Sequence, residues 1–182
     1  MSRRRMLALS ILVVPLGGCS VYGRLAVGPS IDTHRGAGVE GMLAAGFSVD
    51  DPQSAVPEAT FEVGGGASAG PVRRSLFFFP AIDVAATPRD GDWVLRGGPR
   101  LGARVLWSDA AGDPPPKGMF ALGAAVMGAR RFGKGGTRHE LGLDARCFGT
   151  FGAAPYGGMV CALSPAYTIT TQGWKGPSYM IK

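Results

Sequence analysis

The strongest constraint on this chain lies between Trp93 and Trp107, where residues alternate with period two. One set is Trp93, Leu95, Leu101, Ala103, Val105 and Trp107; the other is Val94, Arg96, Arg100, Gly102, Arg104 and Leu106. Successive side chains leave opposite faces of a strand, which no helix reproduces. Three arginines and the two tryptophan ends therefore fall on opposite sides of one ribbon. A membrane-barrel strand needs this division, with apolar residues outward, polar residues inward and aromatics near both interfaces. Rises of ~3.3 Å per residue give the stretch ~46 Å of reach, and a ~45° tilt leaves ~33 Å of height. An apolar band of ~25 Å fits within that.

The same alternation recurs along the chain. Runs are expected at Val21–Ile31, Arg35–Val49, Ala59–Ala67, Ser75–Ala86, Trp93–Trp107, Gly118–Arg131, Arg138–Phe151 and Gly157–Thr170. Breaks are expected at Asp32-Thr33-His34, Asp50–Pro57, Ser68–Arg74, Pro88–Asp92, Ser108–Lys117, Phe132–Thr137 and Ala153-Ala154-Pro155. Glycine, proline, aspartate and serine cluster at these breaks, as strand boundaries require. The predicted fold class is all-β, an antiparallel up-and-down β-barrel of about eight strands over residues 19–170. An even strand count is what a bacterial outer-membrane barrel demands. Pro80, Pro99 and Pro165 fall inside the runs, where proline removes a ladder donor. Gly97-Gly98-Pro99 reads as a strand start or bulge, or alternatively as a hairpin turn.

The face opposite the apolar one carries Glu40, Glu62, Asp83, Glu140 and Asp144 together with Arg24, Arg96, Arg100, Arg104 and Arg146. Five acids matched by five arginines suit a lumen that eight strands leave just wide enough for side chains. The same charges would also suit the solvent face of an open antiparallel sandwich. Thirty glycines, roughly twice the ~7% norm, follow no G-X-Y period, which excludes collagen. Arg73-Arg74 and Arg130-Arg131 read as solvated strand ends. No basic cluster interleaved with aromatics supports nucleic-acid binding.

The N-terminus carries a separate signal. Arg3-Arg4-Arg5 precedes an apolar core from Met6 to Leu16, followed by Gly17-Gly18-Cys19. The core is too short to span a bilayer, for which about 20 residues are needed, and it has the layout of a secretory leader. Leu16-Gly17-Gly18-Cys19 resembles the lipobox of bacterial lipoproteins; an ordinary secretory leader with an incidental cysteine is the alternative. The resemblance implies cleavage after residue 18, acylation of Cys19, and anchoring through membrane lipid. Ser20 after the cysteine implies an outer-membrane destination. The three leader arginines are half of the formal +6, so the mature chain would carry +3. Residues 171–182 form a tail without clear pattern.

Cys147 and Cys161 flank Ala154 symmetrically, so a hairpin there sets them opposite each other. They are either a disulfide or two small apolar residues. His34 and His139 sit at no recognised hydrolase spacing, since neither G-x-S-x-G nor H-E-x-x-H occurs. No third or fourth soft ligand accompanies the cysteines to hold a metal, and no cofactor is implied. Gly64-Gly65-Gly66 lacks the Lys-Ser/Thr of a phosphate loop and reads as a bulge or as lumen clearance.

In length and alternation the chain resembles the small outer-membrane barrels. That resemblance implies a barrel in the outer-membrane bilayer; with the export leader and without a hydrolase motif, the expected role is structural or surface-interacting and not catalytic, with Ser108–Lys117 as the chief outer loop. Two alternatives stand beside it: a soluble periplasmic β-sandwich or lipocalin-like cup for an apolar ligand, and a lipid-modifying barrel enzyme.

Overall fold

Eight antiparallel strands close on themselves in chain order in the computed structural model. They are β1 (Cys19–Asp32), β2 (Gly36–Val49), β3 (Ala59–Ala69), β4 (Arg73–Ala85), β5 (Trp93–Ser108), β6 (Lys117–Phe132), β7 (Thr137–Thr150) and β8 (Gly158–Thr171). The structure describes residues 19–33, 36–49, 58–70, 73–87, 91–108, 115–133, 137–151 and 157–171. The leader, the tail beyond 171, His34, the Asp50–Pro57 loop and the Ala153-Ala154-Pro155 turn lie outside them.

Closure fixes the tilt. One row of paired residues runs Tyr22, Gly46, Glu62, Ala81, Arg100, Gly123, Phe148, Val160 and back to Asp32, ten residues beyond its start. A stagger of that size over eight spacings of ~4.8 Å inclines the strands by roughly 40°. Every lumen-facing residue of the row belongs to one oblique ring, so Tyr22, Glu62 and Arg100 become neighbours although the sequence separates them widely.

Inside and outside follow the alternation. Arg100 and Arg104 are each 2% exposed, whereas Leu43 and Leu143 are 66% and 53% exposed. This arrangement rules out the open sandwich, because the charged face is enclosed and the apolar face covers the exterior. Part of the lumen is apolar: Phe77, Phe79 and Phe148 pack with centroids 5.7–6.2 Å apart, near Met42 and Met127. Gly64 and Gly66 make room for this cluster. A Cβ on either would lie 2.5 or 2.6 Å from the ring tip of Phe79 or Phe77. Gly64 and Gly66 are lumen clearance while Gly65 faces outward, and the triplet is not a bulge, since pairing passes through it on both sides without a slip.

Most strand ends lie within one or two residues of the sequence expectation, and two stretches differ in kind. Ser68, Ala69, Arg73 and Arg74 belong to strands, with Ser68 opposite Ser75 and Ala69 opposite Arg74, so the predicted break shrinks to residues 70–72. Gly97-Gly98-Pro99 neither turns, starts nor bulges a strand: β5 pairs with β6 in one register from Trp93 to Leu106. Proline is tolerated because each barrel strand has two ladders. Pairing of β4 with β5 skips Pro80 and Pro99, while pairing of β1 with β8 skips Pro29 and Pro165. All four prolines face outward.

Candidate functional site: a charge-filled lumen

The barrel brings all ten predicted lumen charges inside, each no more than 4% exposed. They form two groups. Toward the end where β1 begins and β8 stops, Arg131 bridges Glu58 and Glu140 at 3.1 Å each, and Glu140 also pairs with Arg96. Deeper, Arg24, Arg100, Arg104 and Arg146 interleave with Glu40, Glu62, Asp83 and Asp144. Each group contains equal numbers of arginines and carboxylates, so each is formally neutral. Ions taken from water into a low-dielectric interior are tolerable only in such company.

Within the larger group the contacts differ in kind. Arg100 binds Asp83 through two nitrogens, at 2.6 and 2.8 Å, and reaches Glu62 at 3.0 Å. Tyr22 donates its hydroxyl to Glu62 at 2.8 Å. Arg146 donates to Glu40 at 2.8 Å and to Asp144 at 2.7 Å. Arg104 donates to Glu40 at 3.2 Å and to the hydroxyls of Ser75 and Ser68 at 2.7 and 2.9 Å. Arg24 stands among Glu62, Asp83 and Asp144 at 3.4–3.6 Å, its guanidinium held by charge and not by directed hydrogen bonds. Arg100 and Arg104 also lie over the rings of Phe79 and Phe77, at 5.7 and 5.5 Å from their centroids. That contact joins the ionic and apolar contents of the lumen.

Sequence reasoning missed three members. Arg130-Arg131 reads as a solvated pair, yet alternation sends Arg130 outward and Arg131 inward beside Ala129. Period two carried on to the end of β6 would have found it. Glu58 precedes β3 in phase with Thr60 and Glu62, so the same alternation carried one step back would have found it as well. Tyr22 shares the inner face with Arg24 by alternation, but no local pattern names Glu62 as its partner.

Outside the lumen, Cys147 and Cys161 are directly paired on β7 and β8 and joined as a disulfide, with Cα atoms 4.1 Å apart. His139 lies on the wall near one end, its Nδ1 2.6 Å from the Tyr167 hydroxyl and its ring stacked on Phe132 at 5.5 Å. Trp93 is exposed at the same end, opposite Arg130. Among the described residues, no group of three or more histidine, cysteine, aspartate or glutamate side chains is placed to hold a metal ion. Cys19 opens β1 opposite Val49.

No family model matches the sequence, and no curated protein matches it. Among solved structures, the chain is similar to Neisserial surface protein A (NspA) with a TM-score of 0.62 at 13% identity, covering 85% of this chain and 97% of that one. It is also similar to the N-terminal β-barrel domain of Pseudomonas aeruginosa OprF, with a TM-score of 0.53 at 10% identity, covering 82% and 96%. Identities this low speak for architecture alone: the chain has the closed, eight-stranded antiparallel fold of the small outer-membrane barrels.

Proposed function

We propose that this chain is an exported, lipid-anchored outer-membrane protein whose filled barrel crosses the bilayer. Its role is structural or surface-interacting and not catalytic, exercised mainly through the Ser108–Lys117 connection. The observation that carries the reading is the outer wall. Among the described residues its ionisable groups are Arg74 at one end and, toward the other, Arg130, His139 and the Tyr167 hydroxyl bonded to His139; the positions between are apolar, glycine or proline. A contiguous apolar surface of that extent is foreign to a water-soluble monomer. In a bilayer it is required, because a charge on the lipid face near the midplane costs ~2–4 kcal/mol.

The leader supports the anchoring half of the proposal. With Cys19 as the first residue of β1, an acylated terminus would sit at the barrel rim with no linker. The filled lumen argues against a ligand cup, since the interior charges and Phe77, Phe79 and Phe148 occupy the space a ligand would need. It argues equally against a wide pore.

Membranes from cells expressing the full chain and Cys19→Ala provide the test. The variant should resist alkaline carbonate extraction and keep a heat-modifiable gel shift, because the barrel itself spans the bilayer. Release of Cys19→Ala into the soluble fraction would overturn the spanning barrel. An N-terminal peptide of the wild type without acyl mass would overturn the anchoring.

A further inference from the structure

We propose that the acyl chains carried by Cys19 lie against the barrel's own wall, in an apolar depression beginning beside the start of β1. The inference rests on the lipid anchoring proposed above and names where that lipid goes.

The depression has a volume of about 860 Å³, and Val21, Phe47, Phe61, Ile82, Pro99 and Leu101 are among its lining residues. Its first edge is a single row of directly paired residues, Val21 with Phe47, Phe47 with Phe61, and Phe61 with Ile82. Phe47 and Phe61 stack at 5.3 Å and stand as a ridge. The floor is low because Ala45, Val63 and Pro80 are short. Cys19 lies two residues before Val21 on the same strand, two rises of ~3.3 Å from that row along the backbone.

Apolar contact alone selects no occupant in a membrane, where lipid tails are as apolar as the wall and only packing discriminates. The tether does select one. A chain bonded at the rim is present at high effective concentration, and the absence of a linker confines it to the neighbouring wall. A second depression, of about 610 Å³, lies over Ala124, Ala145, Cys147, Cys161 and Leu163. It meets β1 only at Pro29 and Ile31, ten or more residues from Cys19. At ~3.3 Å per residue that is more than ~30 Å along the strand. The second depression is therefore an internal control.

The test feeds a diazirine-bearing palmitate to cells expressing the full chain, irradiates their membranes and maps crosslinks by peptide mass. The expected result is label on the Cys19 peptide, with crosslinks at least threefold enriched on peptides holding Phe47, Phe61 and Ile82 over those holding Ala145 and Leu163. Ala45→Trp, which fills the floor, should reduce that enrichment while the heat-modifiable shift persists. Even crosslinking of both walls with Cys19 labelled would overturn this inference and leave the anchoring intact. Absence of label on Cys19 would overturn both.

Discussion

Arg100 holds Asp83 between its two terminal nitrogens, across neighbouring strands β4 and β5. A planar guanidinium matches a carboxylate in this way and an ammonium does not. Asp83 also faces Arg24 at 3.6 Å, so one carboxylate answers two buried cations. Removing its charge leaves those cations short of compensation, and breaking a buried pair costs ~3–5 kcal/mol. Asp83→Asn is expected to lower the unfolding free energy of the refolded barrel by roughly that amount, read by urea titration of tryptophan fluorescence in detergent. Arg100→Lys should lose a smaller but measurable part. A shift under ~1 kcal/mol for Asp83→Asn would show that the lumen charges are solvated, contrary to their burial.

The outer wall makes an independent prediction. Leu43 lies on the exterior of β2, remote from Arg74 and Arg130. In lipid vesicles Leu43→Arg should destabilise the barrel by ~2–4 kcal/mol, whereas the same change on a water-facing surface stays within ~0.5 kcal/mol. Equal stability of variant and parent would remove the bilayer from the account.

Gly64 and Phe79 test the packing of the lumen. A methyl at Gly64 would press on both the Phe79 ring and the Ala44 side chain. Gly64→Ala should cost ~1–3 kcal/mol, the usual penalty for overpacking. Phe79→Leu should be less damaging in the Gly64→Ala background than alone, a coupling that a double-mutant cycle reads directly. Simple additivity would mean that the two residues do not share space.

The disulfide closes a short hairpin between residues separated by 14 positions. Chain-entropy reasoning assigns a loop of that size up to ~3 kcal/mol. Cys147→Ser is expected to shift the thermal midpoint of the gel shift downward, and adding reductant to the wild type should produce the same shift. Quantitative alkylation of both cysteines in unreduced, denatured protein would refute the bond.

Much of this architecture is legible in residue order because a barrel obeys one local rule. The Trp93–Trp107 alternation is reproduced residue by residue in burial at the described positions, with Val94, Arg96, Arg100, Arg104 and Leu106 inside. The rule holds to the very ends of strands, where polar and glycine-rich residues look like loop, as at Arg131 and at Ser68 and Ala69. Proline obscured the rest. Pro99 removes one donor, but the sequence does not say which of two neighbouring strands loses it, and here β5 keeps its whole pairing with β6. Partner choice within the lumen was beyond reach for another reason. It depends on the ten-residue stagger, a property of closure that no single strand encodes.

The pairing pattern of the larger charged group bears on how such a wall could be assembled. Glu40 of β2 answers Arg104 of β5 and Arg146 of β7, and Arg24 of β1 answers Asp144 of β7. These partners come from distant hairpins, so hairpins entering hydrocarbon one by one would each arrive with bare ions. Glu40 waits for a strand 106 residues away. A partly inserted cylinder would therefore hold unpaired charge, and its late strands would act as a keystone.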